Sequence, residues 1–178
     1  MEKSIKTFAF KPNEVVASIG ASGGVWELYF ASQTDNLTFY LQDIDETLCN
    51  QEEIEEGIAF YQKLLGKTIV GKIIPVIGTE HKTNLPHNTF DKVLIINSFH
   101  EFKNPDKILQ DIVKVLKAKG ILFIEEQLAQ YEGEIHEGCL KPLYLEKALI
   151  AFVEKQGFVL REIVDKENEV KIFSFWKG

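Results

Sequence analysis

Two continuous apolar runs joined by a helical segment constrain the fold of this chain more than any other feature. The runs are 91–97 (DKVLIIN) and 121–125 (ILFIE). Between them, residues 104–106 (NPD) have the pattern of an N-cap and the first two helical positions, and Gly120 is predicted to end the helix. Strands that are apolar throughout are typical of parallel strands covered by helices on both faces. This segment therefore predicts a β-α-β unit of an α/β domain.

The same alternation of strands and helices continues on both sides of this unit. Strands are predicted at 15–19, 37–42, 72–77, 158–164 and 170–176, and helices at 26–31, 46–65 and 145–157. Pro75 lacks a ladder donor, which places the third strand at a sheet edge. Only residues 165–169 separate the last two strands, so these must form an antiparallel hairpin. The prediction is a doubly wound α/β fold whose sheet is mostly parallel with helices on both faces.

Composition limits the size and partners of the protein. With 178 residues, 45% of them hydrophobic, the chain is expected to form one domain over 1–178, with 1–13 as a short N-terminal extension of mixed composition. Phe8 and Phe10 are expected to pack on that domain. A net charge of −7 argues against a nucleic-acid partner, and no run is long enough for a signal peptide or a membrane span. Two distant cysteines fit a reduced, cytoplasmic protein.

Residues 15–24 (VVASIGASGG) carry a buried strand through a glycine-rich turn into a helix. Such a turn presents backbone N–H groups at a helix N-terminus, a generic site for nucleotide-like ligands. Asp43 ends the second strand 23 positions after Gly20, close to the spacing at which an acid binds a ribose diol. The alternative is a helix N-cap, for which Asp45 competes. The dinucleotide pattern G-x-G-x-x-G fits poorly, because Ser22 and Val25 occupy two of its glycine positions.

These residues resemble the class I, Rossmann-like S-adenosylmethionine-dependent methyltransferases over about residues 14–176. VVASIGASGG resembles the first motif of that family, and LTFYLQDID resembles its second strand with the ribose-binding acid. The stretch 85–126 is the most specific part, and GFVLREIV and VKIFSFW are similar to the final two strands. The resemblance implies a seven-stranded sheet of order 3-2-1-4-5-7-6, with the last strand antiparallel.

The resemblance also implies S-adenosyl-L-methionine as the cofactor and assigns its contacts. The implied cofactor-binding residues are Ser18, Gly20, Ala21, Ser22, Gly24, Asp43, Ile44, Thr79, Glu80 and Ser98. Ser18 replaces the acid that usually supplies charge to the amino group of the cofactor, and Ser22 replaces the middle glycine of the first motif. Thr79 occupies a position where an acid often contacts the adenine amino group, a role that falls to Glu80.

The carboxyl end of the fourth predicted strand, residues 97–101 (NSFHE), is expected to face the transferred methyl group. His100 is the first candidate for a general base or acceptor contact, because an unperturbed imidazole titrates near neutrality. The alternative is a loop histidine that packs on its neighbours. Glu101 is a candidate to orient His100, or is an ordinary solvated charge. Glu125 and Glu126 end the fifth strand, and one of them is expected to line the acceptor side.

Residues 127–141 form a polar loop that is predicted to cover the acceptor, with His136 facing the pocket. His136 and Cys139 have a spacing that suits zinc, but a structural site needs about four ligands, and Cys49 is predicted to lie on a distant helix. No metal site is therefore expected. Because few residues precede the first strand, the alternatives are an open pocket and a pocket completed by another subunit of a homodimer.

The sequence thus predicts an S-adenosylmethionine-dependent methyltransferase that acts on a small-molecule acceptor by in-line methyl transfer. The stretch 97–101 lacks the Asn/Asp-Pro-Pro-aromatic signature of family members that methylate amides or nucleobase amines. The alternative is a catalytically degenerate binding or regulatory module, which Ser18 and Ser22 favour.

Overall fold

The computed structural model describes residues 1–178 and contains a seven-stranded sheet and five α-helices. The strands are β1 (Val15–Ile19), β2 (Leu37–Asp43), β3 (Gly71–Ile77), β4 (Phe90–Ile96), β5 (Leu116–Gln127), β6 (Phe158–Asp165) and β7 (Val170–Lys177). The helices are α1 (Glu2–Phe8), α2 (Val25–Ala31), α3 (Gln51–Leu65), α4 (Pro105–Val115) and α5 (Glu146–Glu154), and a 3-10 turn at Phe99–Glu101 follows β4. No helix combines the length and the apolarity that a membrane span requires.

The strand order is β3-β2-β1-β4-β5-β7-β6, and β7 runs antiparallel to both of its neighbours. The other pairings, from β3 through to β5, are parallel. The predicted fold class and strand order are therefore confirmed, and Pro75 does lie on the edge strand β3. This order brings the carboxyl ends of β1, β2 and β4 together at one edge of the sheet.

Apolar side chains form one cluster on each face of the sheet, because successive residues of a strand point to opposite faces. Val93 and Ile95 of β4 belong to the cluster that α4 and α5 cover. Leu94 belongs to the cluster that α1, α2 and α3 cover. Covering helices on both faces explain why β4 reads as a continuous apolar run.

The helix α3 begins at Gln51, five residues later than predicted. Asn50 is its N-cap and accepts a hydrogen bond from the backbone N–H of Glu53 at 3.0 Å. The preceding residues form tight turns in which Asp45 accepts hydrogen bonds from Thr47. The interpretation of Asp43 or Asp45 as the cap of this helix is therefore wrong, and Cys49 lies before the helix rather than on it.

The helix α4 ends at Val115, although Gly120 was predicted to end it. Leu116 is already extended and pairs with Phe90 of β4, and the register then shifts by several residues before β5 pairs regularly. A Cβ on Gly120 would lie 2.9 Å from the carbonyl oxygen of Phe90. The glycine therefore permits a close approach between two strands and does not terminate the helix.

The helix α1 occupies most of the predicted N-terminal extension and is too short to show a periodic apolar stripe. Phe8 is completely buried, and its ring centroid lies 5.6 Å from that of Phe30 and 5.2 Å from that of Phe123. Lys166 donates to the Ser4 hydroxyl at 3.0 Å and pairs with Glu125 of β5. The extension is therefore packed against the sheet, and the prediction that Phe8 packs on the domain is confirmed.

Candidate active site

The glycine turn after β1 lies between the carboxyl ends of β2 and β4. The backbone N–H groups of Gly20 and Ala21 donate to the carbonyl oxygen of Gln42, at 2.8 and 3.1 Å. Gly20 has a φ of +72°, and a Cβ at this position would lie 2.7 Å from Oγ of Ser98. The Ser98 hydroxyl is held in turn by the carbonyl oxygen of Ile19 at 3.1 Å. This close approach requires a glycine at position 20.

Asp43 holds the glycine turn to the end of β2. Its Oδ2 accepts a hydrogen bond from the backbone N–H of Ser22 at 2.8 Å. Its Oδ1 accepts from the backbone N–H groups of Ile44 and Asp45, at 2.7 and 3.1 Å. A carboxylate oxygen can accept about two hydrogen bonds, so Oδ2 keeps capacity for one more donor. Gly24, with a φ of +72°, is the N-cap of α2 and completes the turn.

An open cavity of about 360 Å³ lies in front of this turn and of the ends of β2, β3 and β4. Eight of the thirteen predicted site residues line it: Gly20, Ser22, Asp43, Ile44, Thr79, Glu80, Ser98 and Glu101. Five do not line it: Ser18, Ala21, Gly24, His100 and His136. A larger hollow of about 1,040 Å³ lies beside α1 at the opposite edge of the sheet, away from the predicted site.

Thr79 and Glu80 form the wall of the cavity that follows β3. The Thr79 hydroxyl accepts hydrogen bonds from the backbone N–H groups of His81 and Lys82, at 3.2 and 3.0 Å, and so closes its own turn. Glu80 pairs with Lys103, which lies after the 3-10 turn on another part of the wall. The hydrogen bond from Lys103 lowers the pKa of Glu80. The pair therefore joins two sides of the cavity.

A buried carboxylate lies directly behind Ser18. The Ser18 hydroxyl donates to Oε1 of Glu27 at 2.6 Å, and both residues are almost completely buried. Oε2 of Glu27 has no hydrogen-bond partner. Burial raises the pKa of Glu27 to about 7, although the hydrogen bond from Ser18 opposes the shift. A carboxylate thus reaches the end of β1 from α2, even though position 18 itself is a serine.

Replacing Glu27 by glutamine is expected to stabilise the protein above pH 7 and to leave its stability near pH 4.5 unchanged. The folded chain holds the Glu27 proton up to about pH 7, whereas the unfolded chain releases it near pH 4.5. The contribution of Glu27 to stability is therefore fully present below about pH 4.5 and is lost as the pH rises through about 7. A shift of this size corresponds to about 3 kcal/mol. The glutamine stays neutral and still accepts from Ser18.

Urea unfolding of the parent and Glu27→Gln at pH 5 and pH 8 measures this difference. Glu56→Gln is the control, because it makes the same side-chain change at an exposed residue of α3. An advantage of Glu27→Gln that is the same at pH 5 and pH 8 would contradict the assignment of a raised pKa.

The ring of His100 lies between the buried carboxyl of Glu126 and the thiol of Cys139. Its Nδ1 lies 2.7 Å from Oε1 of Glu126, a side chain with no exposed surface. The second oxygen of Glu126 accepts the backbone N–H of Phe99 at 2.8 Å. Nε2 of His100 lies 3.2 Å from Sγ of Cys139 and 3.9 Å from Oε1 of Glu101. Glu126, rather than Glu101, therefore forms the hydrogen bond that orients the ring.

The charge of this pair decides what His100 can do. Burial alone would lower the pKa of the His100 imidazole. The hydrogen bond and charge of Glu126, together with the contact with Cys139, outweigh burial and raise this pKa to about 9. The imidazole is therefore protonated on both nitrogens at neutral pH. In that state it can donate a proton to a bound molecule but cannot take one.

The loop after β5 brings His136 and Cys139 to His100. The backbone N–H of His136 donates to the carbonyl oxygen of Lys141, and a β-bridge joins Ile135 to Pro142, so the loop folds back on itself. The rings of His100 and His136 lie with their centroids 4.9 Å apart. Two of the predicted acceptor-side residues are therefore in contact, although neither lines the cavity.

Comparison with known proteins assigns the family. The family model described as "Methyltransferase domain" matches residues 18–124, which is more than half of the chain. The chain belongs to the class I S-adenosylmethionine-dependent methyltransferases. The matched residues of this methyltransferase include the glycine turn, Asp43 and His100, and they end before Glu126, His136 and Cys139.

Individual relatives of this methyltransferase are distant. The ubiquinone/menaquinone biosynthesis C-methyltransferase UbiE of Hydrogenovibrio crunogenus is 27% identical over 124 residues, which cover 69% of this chain and 46% of that protein. The match thus spans about half the length of that curated relative. A SAM-dependent methyltransferase from Aquifex aeolicus superposes with a TM-score of 0.72 at 22% identity, over 99% of this chain and 89% of that one. A SAM-dependent methyltransferase from Methanosarcina mazei superposes with a TM-score of 0.76 at 15% identity, over 97% of this chain and 96% of that one. These likenesses show the fold.

Sequence reasoning gave no role to Glu27. It lies between Trp26 and Leu28 in a short amphipathic helix, and an acidic residue in the first turn of a helix is expected to be an ordinary solvent-exposed charge. Only the depth of burial, at 1% exposure, distinguishes it. One of Glu125 and Glu126 was expected on the acceptor side, without a partner, because the sequence does not show which side chain each of them meets.

Proposed function

We propose that this methyltransferase transfers the methyl group of S-adenosylmethionine to a small-molecule acceptor. The observation that carries the proposal is the junction of Gly20, Asp43 and Ser98 around one open cavity at the carboxyl edge of the sheet. The cofactor supplies an activated methyl group, so the chain has mainly to bind and position two molecules.

The residues present fit this cofactor. Asp43 keeps acceptor capacity on Oδ2 for a ribose hydroxyl, and Gly20 leaves the turn free of side-chain atoms. Thr79 and Glu80 are proposed to contact the adenine end. The unpaired oxygen of Glu27, one hydrogen bond behind Ser18, is proposed to accept a hydrogen bond from the amino group of the cofactor, whose positive charge would favour the ionised form of this carboxyl. Glu27 thus offsets the missing acid at position 18.

Two observations support a small molecule as the acceptor. The chain carries a net charge of −7, and the stretch 97–101 lacks the signature of nucleobase and amide methylation. UbiE is a C-methyltransferase of ubiquinone/menaquinone biosynthesis, which agrees with a small acceptor. His100, His136 and Glu101 are proposed to surround this acceptor, with residues 127–141 as its lid. Both cysteines are free thiols, which fits the proposed cytoplasmic location.

Asp43→Ala is expected to weaken the binding of S-adenosylhomocysteine by at least tenfold. The substitution removes a charged hydrogen bond to the ribose, for which 1.5 to 3 kcal/mol is the usual order of magnitude. It also frees the backbone of Ser22 in the glycine turn. Calorimetric titration measures the affinity, and Asp35→Ala is the matched control because Asp35 is exposed in the turn before β2. Equal affinities for Asp43→Ala and Asp35→Ala would contradict the proposal.

Turnover is measured separately from binding. The parent is incubated with S-adenosylmethionine and pools of small-molecule thiols, phenols and amines, and the release of S-adenosylhomocysteine is followed by mass spectrometry. Release that depends on a pool and is lost in Asp43→Ala supports methyl transfer. Cofactor binding without turnover on any pool would instead favour a non-catalytic module.

A further inference from the structure

His100, His136 and Cys139 bring two imidazole nitrogens and one sulfur to a single point. Sγ of Cys139 lies 3.2 Å from Nε2 of His100 and 3.3 Å from Nδ1 of His136. The three atoms all lie within 4.8 Å of one another. Separations of this size suit atoms that share one metal ion at 2.0 to 2.3 Å after small side-chain movements. The ligands come from the turn after β4 and from the loop after β5, which is why their spacing along the chain does not reveal them.

The ring of His100 is held as a metal-binding histidine is usually held. Its Nδ1 faces the buried carboxylate of Glu126 at 2.7 Å, which leaves Nε2 directed at the other two ligand atoms. A carboxylate on the far nitrogen is a frequent partner of metal-ligating histidines, because it fixes the ring and raises its basicity. Glu126 is itself anchored by the backbone N–H of Phe99. The cluster therefore has hydrogen-bonded residues that fix the ring of His100, as well as three ligand atoms.

The ligand atom of His136 faces Cys139. The backbone N–H of Cys139 donates to Nδ1 of His136 at 3.3 Å, and Sγ of the same residue lies 3.3 Å from this nitrogen. Gly138 lies against the same ring, and a Cβ there would be 3.1 Å from its Cε1. The loop backbone thus holds His136 beside Cys139.

We propose that this cluster binds one zinc ion through Nε2 of His100, Nδ1 of His136 and Sγ of Cys139. Two imidazoles and one thiolate form a mixed nitrogen and sulfur set that suits zinc, whereas magnesium and calcium prefer oxygen ligands. Binding would displace the protons from Nε2 and from the thiol. Three protein ligands with a fourth position open are typical of a catalytic zinc site rather than a structural one.

Glu101 joins the cluster to the cofactor cavity. It lines that cavity, and its Oε1 lies 3.9 Å from Nε2 of His100. We expect the fourth position to face this side and to take a heteroatom of the acceptor, and this part of the inference rests on the proposed methyl transfer. A thiol acceptor bound to zinc would lose its proton to water. The acceptor–methyl bond would form as the bond between the methyl group and the sulfonium sulfur breaks, and neutral S-adenosylhomocysteine would leave.

Metal content and cobalt spectra test the site with matched variants. The chain has four histidines and two cysteines, so His87→Gln and Cys49→Ser remove the same side-chain types outside the cluster. After incubation with zinc and gel filtration, the parent and both controls are expected to retain one zinc per chain. His136→Gln and Cys139→Ser are expected to bind at least tenfold more weakly, and Glu126→Gln tenfold to 100-fold more weakly. Circular dichroism verifies that each variant is folded.

Cobalt substitution reports on the ligands directly. The cobalt-loaded parent should show a thiolate charge-transfer band that is absent from Cys139→Ser and present in Cys49→Ser. Addition of 2-mercaptoethanol should shift the visible bands of the parent if the fourth position is open. A four-coordinate spectrum that the thiol leaves unchanged would overturn the open position.

Two results would overturn the metal site itself. One is equal zinc retention by the parent and Cys139→Ser. The other is absence of retained zinc together with rapid alkylation of Cys139 at pH 6, which would indicate a histidine-paired thiolate instead. Titration with S-adenosylhomocysteine separates this outcome from failure of the proposed function, because Cys139→Ser should bind that ligand as the parent does. Zinc binding without cofactor binding would retain the metal site and reject methyl transfer.

Discussion

Gly20→Ala is expected to abolish tight binding of the cofactor while the chain stays folded. The alanine must adopt a φ of +72°, which costs about 1 to 2 kcal/mol for a residue with a side chain. Its Cβ would also lie 2.7 Å from Oγ and 2.9 Å from Cβ of Ser98. The Ser98 Cβ cannot rotate away, so the turn itself has to move out of the position that we propose holds the cofactor. We expect S-adenosylhomocysteine to bind at least tenfold more weakly.

Gly66→Ala separates the two causes of this effect. Gly66 has a φ of +63° at the end of α3, and no atom lies within 4 Å of a Cβ built on it. The control therefore carries the same backbone strain without the close contact, and it should lose stability but no affinity. Adding Ser98→Gly to Gly20→Ala removes both clashing atoms and should restore part of the affinity. Equal affinities for Gly20→Ala and Gly66→Ala would contradict this view of the turn.

Phe8→Ala is expected to lower the free energy of unfolding by about 3 to 5 kcal/mol, the usual cost of removing a fully buried phenylalanine ring. Phe8 has no exposed surface and contacts Phe30 of α2 and Phe123 of β5 at their ring edges. A domain of this kind has a total stability of about 5 to 15 kcal/mol, so the loss is a large fraction of it. The melting temperature should fall by roughly 10 °C.

Phe60→Ala is the matched control for this substitution. Phe60 lies on α3 with 60% of its surface exposed, so its loss should change stability by less than about 0.5 kcal/mol. Urea unfolding of both variants measures the two free energies. A cost for Phe8→Ala as small as that for Phe60→Ala would mean that α1 does not pack on the sheet as described.

The order of the sheet follows from features that are local in the sequence. Continuous apolar runs identify the parallel strands, Pro75 marks the edge, and the four residues between β6 and β7 force an antiparallel hairpin. Each of these features constrains the backbone of its own segment. Gly120 shows the limit of this reasoning, because a glycine needed for close approach to another strand looks the same as one that ends a helix.

The candidate site also contains residues that the local sequence identifies and residues that it does not. The glycine turn and Asp43 are recognisable because one strand and one turn create them. Glu27, Glu126 and Cys139 acquire their proposed roles only through tertiary contacts with Ser18 and His100. The burial and the hydrogen-bond partners of these side chains depend on how the helices, strands and loops pack. A single sequence does not show that packing.

Calorimetric titration of the purified chain with S-adenosylhomocysteine shows whether the glycine turn holds the cofactor. We expect saturable binding of one molecule per chain in the parent, at least tenfold weaker binding in Gly20→Ala and Asp43→Ala, and unchanged binding in Gly66→Ala and Asp35→Ala. Absence of heat from the parent at millimolar ligand, or equal binding by all five proteins, would contradict a cofactor site at the glycine turn.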